Sequence, residues 1–212
     1  MLRLLSTLEA IAYELQVNPD NRFVADALEV GRNARLCASS DSFIAVEPDP
    51  KGKPMGYSAF YTRFRELALR ETRTMTILRR TSAGLPPGEY AFLEMFCDEP
   101  GCDCRRAFLY VISPNRQEAL AVIAYGWEDR AFYARWMGSK DPRDLDELQG
   151  PVLNLLSPQS KLAPAILEAF KEFLLTDSAY VERLKEHYKL FRSTILGNAR
   201  GRPSRLKRRL RT

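Results

Sequence analysis

Histidine is almost missing from this chain: its 212 residues carry one, His187. Metal centres built on several histidines are therefore excluded, and no His-Glu-x-x-His pattern, Gly-rich phosphate loop or placeable Ser/His/Asp set supplies another catalytic signature. Paired Cys-x2-Cys motifs are lacking too. No stretch approaches the roughly 18 apolar residues of a membrane span. The N-terminal apolar stripe is broken by Glu9 and Glu14 at helical spacing, unlike the continuous run of a signal peptide. A soluble, cytoplasmic protein with no membrane partner is expected, a setting in which clustered cysteines bind metal more often than they form disulfides.

Acidic residues are absent from Arg192 onward, where eight of the 32 Lys and Arg residues fall. The preceding 191 residues then hold 24 basic against 27 acidic groups, so the net charge of +5 belongs to the tail.

What the chain does have is a concentration of sulfur. Three of its four cysteines lie in the octet Cys97-Asp98-Glu99-Pro100-Gly101-Cys102-Asp103-Cys104. Tyr90 to Phe96 and Ala107 to Ile112 on either side are rich in aromatic and β-branched residues, and Pro100-Gly101 marks a tight reversal, so the thiols are expected at a hairpin tip. Thiolates so close repel one another and share a soft cation, which makes zinc the expected cofactor on Cys97, Cys102 and Cys104. A structural zinc takes four ligands. His187, at the edge of the last helix's apolar stripe, is the first candidate for the fourth; Cys37, Asp98, Asp103 and water are the alternatives. Two other chemistries compete. Arg105 and Arg106 beside Cys104 suit a thiol redox sensor, and an open zinc position with Glu94 or Asp103 as base suits a metal-dependent hydrolase.

Periodicity predicts an α+β fold, an antiparallel sheet of about four strands flanked by N-terminal and C-terminal amphipathic helices. Leu4, Leu8, Ile11 and Leu15 mark a first helix that Asn18-Pro19 stops, and Phe23, Ala27, Val30, Ala34 and Cys37 a second. A third is expected over Tyr57 to Arg70. Strands follow at Thr72 to Leu78, Tyr90 to Cys97, Ala107 to Ile112 and Ala119 to Tyr125. Trp127 to Met137 reads as a short aromatic helix closed by Gly138, and Asp141-Pro142 as part of a polar linker. Ile166, Phe170, Phe173 and Leu174 trace another helix. Asp177 or Ser178 caps the last, which Gly197-Asn198 ends. The organisation expected is an N-terminal helical segment (1–70), a zinc-stapled sheet with C-terminal helices (71–197) and a disordered basic tail (198–212).

The run Leu93 to Arg106, with Tyr125-Gly126-Trp127-Glu128, Ser157-Pro158-Gln159-Ser160 and His187-Tyr188-Lys189-Leu190-Phe191, resembles a family of uncharacterised bacterial proteins. The resemblance covers about residues 85–192 and implies metal binding. Many members carry an additional SEC-C motif, a cysteine-rich zinc module like the one that ends the SecA translocation ATPase. This chain lacks that motif. The histidine recurs in the family's last motif, which favours His187 as a ligand.

Arg200-Gly201-Arg202-Pro203 has the core of an AT-hook: glycine permits close approach, arginines enter a narrow minor groove and proline keeps the chain extended. Arg205, Lys207, Arg208, Arg209 and Arg211 add phosphate contacts. The function expected from the sequence is a zinc-binding adaptor or binding module that contacts nucleic acid, DNA before RNA, through this tail, with the metal-dependent hydrolase and the thiol redox sensor as the alternatives.

Overall fold

The computed structural model describes residues 56–114 and 116–200. The two helices expected before Cys37, Cys37 itself, and Gly201, Arg202, Pro203, Arg205, Lys207, Arg208, Arg209 and Arg211 lie outside the described residues.

Within them the fold is α+β, five helices on an antiparallel sheet of six strands. The strands are β1 (Tyr57–Ala59), β2 (Arg73–Ile77), β3 (Gly88–Cys97), β4 (Arg106–Ser113), β5 (Arg116–Gly126) and β6 (Val152–Leu153). The order runs β1-β3-β4-β5-β6, and β2 pairs with the start of β3 while β1 pairs with its end. Two of the six escape a sequence reading. β1 and β6 are three and two residues long, too short to display an alternating pattern.

The helices are α1 (Arg65–Glu71), α2 (Arg130–Met137), α3 (Pro142–Gln149), α4 (Ala163–Ala169, continued by a wider turn over Phe170–Leu174) and α5 (Ser178–Arg200). Three expectations need correction. Tyr57 to Arg70 is not one helix: Tyr57 stacks on Phe108 at 4.1 Å on one sheet face, while Phe60 packs against Phe96 and His187 on the other. The chain rounds the sheet edge there, which a helix would prevent. The linker at Asp141-Pro142 is α3, started by an Asp141 side chain that accepts from Arg143 N and by proline in the first turn, where its missing N–H costs nothing. The last helix passes Gly197-Asn198 and continues to Arg200. Its N-terminus is as expected, with Asp177 Oδ1 accepting from Ala179 N and Tyr180 N.

Alternation divides the sheet into two faces. Met75, Phe92, Phe96, Leu109, Val111 and Ile123 point inward, where α4, the wider turn and α5 bury them with Ile166, Phe170, Leu184 and Phe191. On the opposite face Leu69 of α1 packs near Ala91, Leu93 and Ile112, and α2 and α3 close over Gly126. Beyond the two residues of β6, the outer side of β5 is finished by a side chain. Val122 N donates to Gln159 Oε1 at 3.0 Å, and Gln159 Nε2 donates back to Val122 O at 3.1 Å. Among the described residues no helix is long and apolar enough to cross a membrane.

Candidate metal centre

The β3–β4 connection carries the thiols at its tip, as the sequence predicts. Cys102 N donates to Glu99 O at 3.2 Å, closing a four-residue turn whose third residue, Gly101, has φ of 89°. Proline at the second position and glycine at the third are what that backbone demands. Arg105 makes the second bend with φ of 49°, a left-handed conformation uncommon outside glycine. Two tyrosines hold it there: Arg105 N donates to Tyr188 Oη at 3.3 Å, and Tyr133 Oη donates to Arg105 O at 2.9 Å.

These bends bring the sulfurs of Cys97, Cys102 and Cys104 within 4.8 Å of one another. All three are free thiols, with Cys97 and Cys104 buried and Cys102 half-buried. Backbone amides face each sulfur: Glu99 N–H at Cys97, Cys104 N–H at Cys102 and Arg106 N–H at Cys104. An amide donor stabilises thiolate over thiol. The three sulfurs do not share one preference, however. A hydrogen bond donated by Cys97 holds the Cys104 thiol below its ordinary range, while that bond and burial push Cys97 up; burial and the neighbouring Cys97 push Cys102 up. Together the three residues could bind a metal ion, and they form the one group of three or more metal-ligating side chains among the described residues.

His187 does not join them. Its Nδ1 lies 2.7 Å from Glu94 Oε2 and its Nε2 lies 3.2 Å from Glu71 Oε2, so carboxylates occupy both ring nitrogens, and Phe60 stacks on the ring at 4.3 Å. The physical reason is the sheet's alternation: Glu94 shares the inner face with Phe92 and Phe96, and His187 on α5 meets it there. The expected tether between cysteine tip and last helix does exist, but other residues make it. Arg192 Nη1 donates to Cys97 O at 3.0 Å and Glu99 O at 2.8 Å, and Tyr188 Oη donates to Asp103 Oδ1 at 3.3 Å. Arg192 could have been noticed: an arginine four residues after Tyr188 interrupts an apolar stripe, and such a charge needs a buried partner.

The two alternative carboxylate ligands are also occupied. Asp98 Oδ2 accepts from Ser58 Oγ at 2.5 Å, and Asp103 accepts from Arg105 at 2.9 Å. Arg105 further donates to Glu128 at 3.1 Å and lies 4.6 Å over the Phe132 ring. Tyr57 Oη stands 3.9 Å from Cys104 Sγ, a neighbour the sequence does not reveal because β1 is not legible as a strand. Of the tail residues, Arg200 is the last of α5. No family model, curated protein or solved structure matches this chain.

Proposed function

We propose that the chain is a zinc-binding module whose metal staples the β3–β4 tip, and that its basic C-terminus carries it to nucleic acid. The observation behind the first part is the meeting of three sulfurs within 4.8 Å, each faced by a backbone amide. Around a tetrahedral zinc with Zn–S bonds of about 2.3 Å, sulfurs sit roughly 3.8 Å apart, so the cluster needs to close by no more than about 1 Å. Soft thiolate donors select zinc over hard cations such as magnesium or calcium. When bound, the ion supplies the positive charge that lets three adjacent thiols ionise together.

The chain's own residues do the positioning. Pro100-Gly101 and Arg105 set the two bends, Tyr133 and Tyr188 grip Arg105, and Arg192 fastens the Cys97 and Glu99 carbonyls to α5. A binding role is favoured over hydrolysis because both candidate bases are engaged, Glu94 with His187 and Asp103 with Arg105 and Tyr188. The nucleic-acid part rests on the charge split, with every acidic residue before Arg192.

Elemental analysis of protein purified under reducing conditions tests the metal. One zinc per chain is expected, lost on replacing Cys104 by Ser. A fully reduced, folded chain that takes up no zinc would overturn the reading.

A further inference from the structure

The three residues of β1 are joined to the cysteine loop as closely as to the sheet. Tyr57 faces Cys97 in the register, and Ser58 and Ala59 face Phe96 and Met95. Just past the end of β3, Asp98 N donates to Gly56 O at 3.0 Å, and Ser58 Oγ donates to Asp98 Oδ2 at 2.5 Å. The approach is so close that a Cβ on Gly56 would collide with the Asp98 carboxylate. The Tyr57 ring lies on Phe108, and its phenol oxygen stands 3.9 Å from Cys104 Sγ. β2, on the same edge of β3, is attached differently. It pairs over five residues, Arg73 to Ile77 against Phe92 back to Gly88, and none of its register partners belongs to the loop. A three-residue strand has few ladder bonds of its own, so whatever fixes the loop also fixes β1.

We infer that Tyr57 and Ser58 are positioning residues of the metal centre, and that the hold of β1 on the sheet follows the occupancy of that centre. The inference rests on the zinc reading above. With Cys97, Cys102 and Cys104 joined through one ion, both ends of the loop are fixed, because Cys97 is the last residue of β3 and Cys104 stands two residues before β4. The Asp98 amide and carboxylate that grip Gly56 and Ser58 are then fixed with it. A second link is direct. Cys104 as a thiolate can only accept, and the Tyr57 phenol is an O–H that faces it. Coupling of this kind is reciprocal: the factor by which the metal tightens β1 is the factor by which a docked β1 tightens the metal.

Hydrogen–deuterium exchange read by mass spectrometry, on the full-length reduced chain with zinc and after chelation, tests the coupling. Peptides covering Tyr57–Ala59 should exchange roughly tenfold or more faster once zinc is removed, whereas those covering β2 should change by no more than about twofold, because local opening follows the bonds of the strand that opens. Competition with a chromophoric chelator supplies the other half. Tyr57→Phe with Ser58→Ala keeps the ring on Phe108 but should weaken zinc binding toward the factor that zinc confers on β1. Ser58→Thr in place of Ser58→Ala should restore part of that loss, since threonine keeps the hydroxyl and suits a strand. With cobalt in place of zinc, the sulfur-to-metal charge-transfer band should shift in Tyr57→Phe alone, because a hydrogen bond to a ligating thiolate tunes its donor strength. Parent zinc affinity in the double variant, an unmoved cobalt band, or β1 exchange indifferent to zinc would overturn the inference and leave the zinc site standing. Equal slowing of β1 and β2 would assign the effect to overall stability and overturn it as well. A chain that takes up no zinc would overturn the site itself and the coupling with it.

Discussion

Glu94 Oε2 stands 2.7 Å from His187 Nδ1, with the two side chains 4% and 5% exposed, so a carboxylate and an imidazole face each other inside the layer between β3 and α5. The other ring nitrogen faces Glu71 at 3.2 Å. Two carboxylate acceptors call for two N–H donors, and that means an imidazolium. Burial alone would lower the His187 pKa; the bonds to Glu94 and then Glu71 outweigh it and leave the group raised above its usual value. A raised folded pKa gives stability that is fully present below the unfolded value of about 6.5 and is lost as pH rises through the folded value. Denaturant midpoints should therefore fall as the pH is taken upward from about 6.5, and the fall should be much reduced in His187→Gln. Ring nitrogen shifts of a neutral imidazole at that pH would refute the assignment.

Replacing His187 by Ala strands Glu94 in the core. The expected cost is about 3–5 kcal/mol, the range for breaking a buried pair by removing one partner. Zinc content per folded chain should not change, because the ring nitrogens point to carboxylates and not to the sulfurs. Parallel unfolding and metal measurements on this variant separate the two roles.

Arg192 is expected to behave in the opposite way. Arg192→Ala removes the donor to two carbonyls of the cysteine loop. Hydrogen bonds from a charged group contribute roughly 1.5–3 kcal/mol each, so both stability and zinc retention against a chelator should fall. Retention equal to the parent's would show that the loop holds its shape without α5.

The cysteine tip, the three long strands, the α2 stop at Gly138 and the Asp177 cap were all legible in the sequence, because each has a local signal: alternation, a Pro-Gly turn, a C-terminal glycine, an N-cap acid. His187 was misread for an equally physical reason. Helical spacing shows that the residue faces inward, but it carries no information about which strand face it meets, and one face holds Glu94 while the thiols gather at the loop beyond it. β1 was hidden by Tyr57, Phe60, Tyr61 and Phe64, whose spacing imitates a helical stripe although the chain sends Tyr57 and Phe60 to opposite faces. α3 was hidden by its composition, since six of its eight residues are polar or proline and only Leu145 and Leu148 are buried.

Gly126→Ala should be destabilising despite its small size. A Cβ there would collide with the Tyr133 hydroxyl and come within 2.7 Å of Leu148 O, so α2 and α3 would have to move off the end of β5. Overpacking of this kind costs about 1–3 kcal/mol. Thermal unfolding of the variant at an unchanged midpoint would show that the two helices yield freely.

Nucleic-acid binding, if the tail supplies it, is electrostatic. Residues 198–212 carry seven Lys or Arg and no acid. With four to six phosphates neutralised, log K against log salt should have a slope of about −4 to −5 on duplex DNA. Arg200→Lys with Arg202→Lys should erase any A·T preference while keeping affinity, because lysine is the poorer occupant of a narrow minor groove. Equal affinity for A·T-rich DNA, G·C-rich DNA and RNA in the parent would leave a non-specific polycation, and no binding at moderate salt would remove nucleic acid from the function.

The carboxamide of Gln159 imitates a peptide unit, offering Val122 one donor and one acceptor where the two-residue β6 has run out. The same edge gives its Leu120 carbonyl to Ser160 N. A foreign strand arriving at this margin meets backbone groups that are already satisfied and would have to evict an intramolecular side chain to gain a ladder. The outer side of β5 is thereby closed to recruitment by β6, Asn154, Gln159 and Ser160 together, and growth by strand addition, productive or pathological, is turned away from that strand.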